Sequence, residues 1–360
     1  MSREFLLLLI LYSLQFFVSI YSLSCVDESG KNVDFWFAVK FPHKKKTRFP
    51  KYFDGTRYAF YVAGRTDGWT FSNQTIRDAG SVFGRTLAPY YHKERAQLTW
   101  LFYSDQPPEG QCSSCFAHSK GVLMADSSSG FWLVHSVPRF PKATGNVYQY
   151  APSGEKYGQS AMCLSLSLES LTNVVLKNFL VARPFPYALH IAFESSKLGK
   201  ALKKYEEKQW SSDPWSILNL KVGSKSVMSL YKHPKTSEDI YFKLAQLTNQ
   251  NVRTETWLRP PGNPMKSNCD HPGTEVENIK RVQLTFQHRK LEASFKSYKD
   301  HSKWAVSRIS SYGCVGDLNR AESQTHRGGG VTCIMDSNVW NLFFEITQVV
   351  EKCPDDKDPP

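Results

Sequence analysis

The feature that most constrains the fold of this chain is a series of short runs rich in aromatic and β-branched residues. Runs of this kind, bounded by turn residues, are typical of β-strands. The polar stretch 126–129 separates two of them and predicts a β-hairpin. The predicted strands are residues 33–39, 58–62, 97–103, 121–125, 131–137, 161–166, 282–286 and 304–307.

Two segments of the C-terminal half carry apolar residues at helical spacing. Thr236 and Asp239 form a sequence similar to a capping box, which predicts that a helix follows. A second helix is predicted to begin at Ser337. The predicted apolar faces comprise Ile240, Leu244 and Leu247 in the first helix, and Trp340, Phe343, Phe344 and Val350 in the second.

Strands and helices occur in both halves of the chain, which predicts a mixed α+β (or α/β) fold class. The polar, lysine-rich segment 194–236 is interpreted as a connection between the halves. The chain has 360 residues, of which 41% are hydrophobic, and this excludes a disordered protein and leaves room for one large domain or two medium ones.

The N-terminus has the features of a secretory signal peptide: Arg3, an apolar run over residues 5–11, and small residues at Ser22 and Ser24. Polar residues interrupt the apolar stretch before it reaches the ~20 residues that a membrane span needs. We therefore predict that residues 1–22 are a signal peptide and that the mature chain does not associate with the membrane.

The charge balance favours an acidic partner. Lys and Arg number 45 against 33 Asp and Glu, which gives a formal net charge of +12 with neutral histidines. A positive field of this kind attracts polyanions such as nucleic acid or anionic lipid. Ten histidines would strengthen the attraction in an acidic compartment.

Eight cysteines in the mature part favour disulfides over metal sites, because a secreted chain is exposed to an oxidising compartment. Spacing suggests that Cys314 and Cys333 close one loop, while Cys25 and Cys353 tie down the two ends. Asn73 lies in an N-x-Thr sequon and is a predicted glycosylation site. The remaining cysteines are Cys112, Cys115, Cys163 and Cys269.

The sequence His-Ser-Lys occurs twice, at residues 118–120 and 301–303. In an extended segment, residues i and i+2 point to the same face, so each triplet places an imidazole beside an ammonium group. Lys can neutralise phosphoryl oxygens, while imidazole can attack phosphorus or protonate a leaving alkoxide. His118, Lys120, His301 and Lys303 are therefore candidate catalytic residues for phosphodiester chemistry, with no metal or other cofactor; the alternative is that they form surface salt bridges.

Further polar residues lie near the two triplets. A four-residue hairpin loop would place His135 across from Lys120, in a site role or as a structural histidine. Asp317 or Asn319 could orient an imidazole by accepting its second N–H. Arg327 and the three glycines after it form either a flexible phosphate-binding loop or a simple turn.

Several stretches, distributed over nearly the whole mature chain, carry a family likeness. They are residues 33–42, 104–108, 118–123, 130–138, 157–159, 300–304, 314–320 and 327–330. Together they resemble deoxyribonuclease II, the acid endonuclease family.

The resemblance implies a phospholipase D-like fold in which two pseudo-symmetric halves, residues 23–190 and 191–360, each contribute one H-x-K to a shared site. It implies His118, Lys120, His301 and Lys303 as the active-site residues. It also implies metal-independent cleavage of single- or double-stranded DNA at acidic pH, leaving 3′-phosphate and 5′-hydroxyl ends. The enzyme would be lysosomal or secreted and would degrade DNA from apoptotic or engulfed cells. The sequence does not decide between a monomer and a homodimer.

The resemblance further implies three disulfides, Cys25–Cys163, Cys269–Cys353 and Cys314–Cys333. Cys112 and Cys115 are additional to the family pattern, and a local disulfide is preferred over a redox or metal role.

The full phospholipase D motif has an aspartate five residues after the lysine, but here Ala125 and Arg308 stand at those places. The carboxylate that orients an imidazole must therefore come from elsewhere. Two alternatives to a DNase are a catalytically inactive protein that binds polyanions such as nucleic acid, and a phosphodiesterase for RNA or phospholipid.

Overall fold

The computed structural model describes residues 22–47, 49–111, 116–259, 263–309 and 311–353. The strands are β1 (Cys25–Val26), β2 (Asn32–Val33), β3 (Phe35–Lys40), β4 (Tyr58–Val62), β5 (Thr70–Phe71), β6 (Thr99–Ser104), β7 (Lys120–Ala125), β8 (Ser129–His135), β9 (Gln159–Ser167), β10 (Pro186–His190), β11 (Trp215–Val222), β12 (Lys225–Lys232), β13 (Val252–Glu255), β14 (Val276–Phe286), β15 (Leu291–Lys296), β16 (Trp304–Ser307), β17 (Gly313–Gly316), β18 (Gly329–Met335) and β19 (Thr347–Glu351). The α-helices are α1 (Val82–Tyr91), α2 (Leu168–Asn173), α3 (Leu180–Ala182), α4 (Lys197–Glu206), α5 (Ile240–Thr248), α6 (Glu322–Thr325) and α7 (Ser337–Phe344). A π-helical segment, Val174–Phe179, joins α2 to α3, and 3-10 turns lie at Pro50–Tyr52, Lys93–Gln97, Pro152–Gly154, Gln287–Arg289 and Ser297–Lys299.

The first large sheet is antiparallel throughout and uses strands between residues 35 and 190. Its order is β10-β6-β7-β8-β9-β3-β4-β5. The predicted hairpin is confirmed: Ala125 pairs with Gly130, and the amide of Asp126 donates to the carbonyl of Ser129. This register continues to the Gly121–Val134 pair, so the end of β7 at Lys120 faces the end of β8 at His135.

The second sheet uses strands between residues 215 and 351, in the order β11-β12-β18-β17-β16-β13-β14-β15, with β19 paired to β14. Its strands are antiparallel except for the parallel pair β13–β14. The prediction that segment 194–236 is a connection was wrong for much of its length, because it contains α4 and the paired strands β11 and β12. The mixed α+β class is confirmed.

One apolar core joins the inner faces of both sheets. Phe37 of the first sheet contacts Phe343 of α7, with ring centroids 5.1 Å apart, and Trp132 contacts Tyr231 of the second sheet at 6.0 Å. Helix α1 covers the outer face of the first sheet and α5 covers that of the second. Because central strands are covered on both faces, all six residues of β3 are buried.

Both predicted helices are present with corrections at their ends. Asp239 caps α5 by accepting from the amide of Tyr241, whereas the hydroxyl of Thr236 donates to the carbonyl of Pro214. Leu247 is exposed. Helix α7 is capped by Asp336 and ends at Phe344, so Val350 lies instead in β19.

Three disulfides, Cys25–Cys163, Cys269–Cys353 and Cys314–Cys333, connect the described cysteines and confirm the pairing implied by the resemblance. Cys112, Cys115 and residues 1–21 of the predicted signal peptide lie outside the described residues. Within the described residues, no helix has the length and apolar character to cross a membrane.

Candidate active site

The two H-S-K triplets lie where the first and second sheets meet. Each triplet is bound through its backbone to the other half of the chain. The amide of His118 donates to the carbonyl of Gly328 at 2.9 Å, and the amide of His301 donates to the carbonyl of Gly158 at 2.9 Å. This reciprocal pairing ties His118 to the residue just before β18 of the second sheet and His301 to the residue just before β9 of the first.

Two glycines permit this close approach. A Cβ added to Gly158 would lie 2.3 Å from the Oδ1 of Asp300, and one added to Gly328 would lie 2.1 Å from the carbonyl oxygen of Ala182. Any side chain at these positions would push the two halves apart, because real Cβ contacts are not this short. The absence of a side chain at these two glycines therefore lets the two halves approach closely enough to position the triplets.

Asp105 organises the first triplet. Its Oδ1 lies 2.5 Å from the Nζ of Lys120, and its Oδ2 lies 3.7 Å from the Nε2 of His118 and 3.2 Å from a guanidinium nitrogen of Arg327. Burial opposes ionisation of Asp105, but Lys120, His118 and Arg327 together hold its pKa well below the usual range. Ala125 stands where the full phospholipase D motif has an aspartate, so a carboxylate beside the imidazole must come from outside the H-x-K motif. Asp105 is such a carboxylate.

Sequence reasoning did not assign a role to Asp105, although its stretch 104–108 belongs to the family likeness. Arg327, the predicted phosphate-binding residue, also donates to the carbonyl of Phe116 at 3.1 Å. Its phosphate contact stays a prediction.

His301 lies against two aromatic rings that sequence reasoning missed. Its ring is stacked on Tyr157, with centroids 4.1 Å apart and planes at 11°, and it contacts Trp257 at 4.1 Å with planes at 48°. Burial lowers the pKa of His301 to about 2, with further lowering by Lys303 and Lys120. The imidazole is therefore held neutral and oriented by packing.

Buried polar contacts fix both rings. The side chain of Asn319 accepts from the amide of Trp257 at 3.2 Å and so helps to position this ring beside the imidazole. A contact of Asn319 with an imidazole stays a prediction. The Nζ of Lys40 donates to the carbonyls of Glu155 and Tyr157. Burial lowers the pKa of Lys40 to about 7.

Lys303, the last residue of the second triplet, and Asp317 are buried within electrostatic reach of Lys120 in the first triplet. The Nζ of Lys303 donates to the carbonyl of His301 at 2.7 Å, and burial followed by the charge of Lys120 lowers its pKa to about 7. The Oδ2 of Asp317 accepts from the amide of Gly330 at 2.9 Å. Burial raises the pKa of Asp317 to about 7, although Lys120 and Lys303 oppose the shift. The charges of the two triplets therefore act on one another.

His135 is buried at the end of β8. Its Nδ1 accepts from the amide of Val137 at 3.2 Å, and its ring contacts Phe140 edge-on. Burial and then the charge of Lys120 lower its pKa to about 3. The backbone hydrogen bond agrees with a structural role for His135, and its closeness to Lys120 agrees with a supporting role in the site.

Several buried polar atoms of the cluster have no hydrogen-bond partner within the described part of the chain. Most buried polar groups in folded proteins are paired, so such a concentration marks a place for a polar ligand. Across the described ranges, no group of three or more His, Cys, Asp or Glu side chains is arranged to hold a metal ion. The unpaired atoms include the Nδ1 of His118, the Nε2 of His135, the Nε2 of His301 and the Oδ1 of Asp317.

Two other predicted features are the glycine segment after Arg327 and the glycosylation site at Asn73. Strand β18 begins at Gly329 and Gly330 pairs with Tyr231, so most of the expected flexible glycine loop is regular sheet. Asn73 is exposed and its side chain accepts from Arg289, away from the triplets. Its glycosylation stays a prediction.

Comparison with known proteins identifies the family. Residues 24–353 match the deoxyribonuclease II family. The chain belongs to the deoxyribonuclease II family. As a member of this family, it is a nuclease that hydrolyses phosphodiester bonds.

Similar curated proteins include deoxyribonuclease-2-alpha of Mus musculus, which is 32% identical over 342 residues, covering 92% of this chain and 94% of the relative. Cell-death-related nuclease 7 of Caenorhabditis elegans is 31% identical over 343 residues, covering 92% and 88%. Deoxyribonuclease-2-beta of Homo sapiens is 30% identical over 343 residues, covering 92% of each chain. The similarity to these deoxyribonuclease II relatives extends over both sheets.

Proposed function

We propose that this chain is a metal-independent acid endonuclease that hydrolyses DNA, with both H-S-K triplets serving one active site. The observation that carries the proposal is the reciprocal pairing that brings the triplets to one junction: the amide of His118 donates to the carbonyl of Gly328 and the amide of His301 donates to the carbonyl of Gly158, each at 2.9 Å. Lys120 and Lys303 lie close enough there for the charge of Lys120 to lower the pKa of Lys303. Two ammonium groups that repel one another across the junction form a binding place for a phosphodiester anion.

His301 is the proposed nucleophile. Its surroundings are aromatic rings and cations, and these favour the neutral imidazole, which has a lone pair available for attack. The Nε2 of His301, which has no partner within the described residues, forms a bond to phosphorus as the bond from phosphorus to the 5′ oxygen breaks. Because the bond that breaks joins phosphorus to the 5′ oxygen, the phosphoryl group remains on the 3′ side of the cut.

His118 is the proposed general acid. Burial is the largest cause that holds the pKa of His118 well below its ordinary value, and Lys120, Lys303 and Arg327 lower it further. The neighbouring carboxylate of Asp105 opposes this shift, and the negative charge of a bound phosphodiester would add to the effect of Asp105 and favour the imidazolium. The imidazolium gives its proton to the departing 5′ oxygen and so produces the 5′-hydroxyl end. Water then attacks the phosphohistidine while His118 takes a proton, the N–P bond breaks, and the 3′-phosphate end is released.

Activity at acidic pH follows from the charges of the site. Burial is the largest cause of the pKa shift in Asp300, Asp317, Lys40 and Lys303, and it brings their pKa values to about 6, 7, 7 and 7. Protonation of each group either adds a positive charge or removes a negative one. Acidification therefore raises the positive potential where the phosphodiester would bind.

Analysis of product ends tests the reaction. Single-stranded and duplex oligonucleotides are incubated with the protein at pH 5 and pH 7.5 in EDTA. We expect cleavage at pH 5, with 5′ ends that a polynucleotide kinase labels directly and 3′ ends that a polymerase extends only after phosphatase treatment. Cleavage that needs a divalent metal, or ends of the opposite polarity, would contradict the mechanism.

An activated leaving group separates the roles of the two histidines. Thymidine 3′-(p-nitrophenyl phosphate) releases p-nitrophenolate, which leaves without a proton and so does not need the general acid. His118→Ala should release one equivalent of p-nitrophenolate per enzyme rapidly and then turn over slowly, because hydrolysis of the phosphohistidine still needs His118 as a base, whereas His301→Ala should release none. The reverse pattern would exchange the two roles.

The proposed setting is a lysosomal or secreted enzyme that degrades DNA from apoptotic or engulfed cells. The signal peptide predicted at residues 1–22 supports this proposal, as does the similarity to a cell-death-related nuclease. Co-localisation of the tagged chain with a lysosomal marker, or its recovery from the medium, tests the location. A cytosolic distribution would overturn it.

A further inference from the structure

Beside the proposed active site lies a cavity of about 560 Å³ on the outer face of the second sheet. It borders β14, β15 and β19, and its lining includes no acidic side chain among the described residues. It contains cationic and apolar groups together. The side chains that define this outer cavity are Arg259, Lys280, Arg281, Lys296, Tyr298 and Val349.

Two of the segments that line the outer cavity, residues 258–259 and 296–298, adjoin residues of the proposed catalytic site. Trp257, which contacts His301, donates from its indole nitrogen to the carbonyl of Tyr298 at 3.2 Å, and Arg259 follows two residues later. Tyr298 precedes His301 by three residues, so their Cα atoms are at most about 11 Å apart. That distance corresponds to at most about three nucleotides at the ~3.4 Å rise of a strand in duplex DNA, and to fewer in an extended single strand.

An aromatic face is available in the outer cavity. Tyr298 is 42% exposed and Val349 is 45% exposed, although large hydrophobic side chains are usually more buried than this. The ammonium groups of Lys296 and Lys299 lie 5.9 and 5.7 Å from the Tyr298 ring centroid. Exposed aromatic rings surrounded by cations are the usual means of binding single-stranded nucleic acid, because bases stack on the ring while cations contact the phosphates.

The positive charge of the outer cavity is only partly neutralised. Lys280 pairs with Glu351 at 3.1 Å, and Arg281 donates to the hydroxyl of Ser294 at 3.5 Å. Arg259 and Lys296 are both exposed. The outer cavity therefore favours an anionic occupant that also has a flat apolar face, and a nucleotide has both features.

We propose that the outer cavity is a substrate subsite that binds an unpaired nucleotide of the DNA strand a few nucleotides from the scissile phosphate. Tyr298 stacks on the base, while Arg259 and Lys296 contact the flanking phosphates. This inference rests on the proposed function. It adds that substrates long enough to reach the subsite bind more tightly than short ones.

Steady-state kinetics at pH 5 in EDTA tests the subsite with two substrates, a 20-nucleotide single strand and thymidine 3′-(p-nitrophenyl phosphate). The variants are Tyr298→Ala and the double variant Arg259→Gln/Lys296→Gln. Their matched controls are Tyr298→Phe, which keeps the ring, and Lys200→Gln/Lys204→Gln, which removes two exposed charges from α4.

We expect Tyr298→Ala to raise KM for the 20-mer about tenfold, as the loss of one stacked base predicts. The double variant should reduce the slope of log KM against log salt by about 1.4, since each phosphate contact on a single strand contributes ~0.7. Both variants should leave kcat/KM for the small substrate unchanged, because it does not reach the outer cavity. The control variants should behave as wild type on both substrates.

The outcomes separate the two proposals. If wild-type protein cleaves neither substrate, the proposed function fails. If wild-type protein cleaves both but the variants keep the wild-type KM and salt slope on the 20-mer, the subsite is wrong and the proposed function stands. An equal loss on both substrates would also overturn the subsite, because it would place these residues in the catalytic step itself.

Discussion

His301 and Tyr157 lie face to face, with ring centroids 4.1 Å apart and planes at 11°. Tyr157 lies just before β9 of the first sheet and His301 just before β16 of the second, and the amide of His301 also donates to the carbonyl of Gly158, the residue after Tyr157. The position of the imidazole is therefore fixed from the opposite half of the chain by a backbone hydrogen bond and by ring stacking together.

Replacing the stacked ring tests this arrangement. Tyr157→Leu should lower kcat by about a hundredfold, because a displacement of the reacting group by about 1 Å has an effect of that size. KM should change less, since the lysines that attract the phosphate remain. Tyr157→Phe keeps the ring and should stay near wild type; equal losses in both variants would show that the hydroxyl, and not stacking, is what matters.

Removing the carboxylate beside the first triplet should affect stability and activity together. Asp105 and Lys120 are 7% and 4% exposed, so Asp105→Asn leaves a buried ammonium without its ion-pair partner. We expect a loss of about 3 kcal/mol in the free energy of unfolding at pH 5, measured by urea titration, and a large fall in kcat. The exposed pair of Asp67 and Arg65 is the control, and Asp67→Asn should cost less than about 1 kcal/mol. A similar small cost in Asp105→Asn would contradict the assigned role.

Asp317 should make the protein more stable in acid than at neutral pH. Burial raises its pKa from 3.8 to about 7, so the native state favours the protonated carboxyl. The stability from this group is fully present below pH 3.8 and is lost as pH rises through about 7. Relative to Asp317→Asn, wild type should therefore lose up to about 4 kcal/mol between pH 4 and pH 7.5, in urea titrations at several pH values. A difference that does not vary with pH would show that Asp317 does not titrate in this range.

The Cys314–Cys333 disulfide should support the site as well as the fold. It joins directly paired residues of β17 and β18, and Asp317 and Arg327 lie in the loop of 19 residues that it closes. Replacing both cysteines by alanine should cost about 3 kcal/mol of unfolding free energy and lower activity at pH 5. Full activity with reduced stability would show that the strand pairing alone holds the loop.

The parts of the fold that the sequence predicts are those governed by local patterns. The four-residue turn between β7 and β8 determines the hairpin register, and with it the placement of His135 opposite Lys120. The β11–β12 hairpin was missed because its strands are rich in Lys and Ser, and their exposed side chains hide the alternation that marks β11 as a strand. The strand β11 lies at the edge of the sheet, and a strand with many exposed polar residues has a composition similar to that of a loop.

The missed site residues depend on contacts between distant segments. Tyr157 and Trp257 come from opposite halves and pack around His301, with their own ring centroids 5.6 Å apart, and nothing in the sequence next to either ring indicates these contacts. Asp105 likewise reaches His118 through the pairing of β6 and β7. The H-S-K repeat could identify the chemistry, but the residues that orient the histidines follow from tertiary structure alone.

Nicking of supercoiled plasmid at pH 5 in EDTA tests the central claim most directly, with wild type, His118→Ala and His301→Ala compared at equal concentration. His288→Ala is the control, because His288 is an exposed histidine in another H-x-K sequence. If the two triplets form one active site, wild type and His288→Ala nick the plasmid, and each of the other two variants loses essentially all activity while keeping its folded circular-dichroism spectrum. Substantial nicking by either His118→Ala or His301→Ala would contradict the shared site.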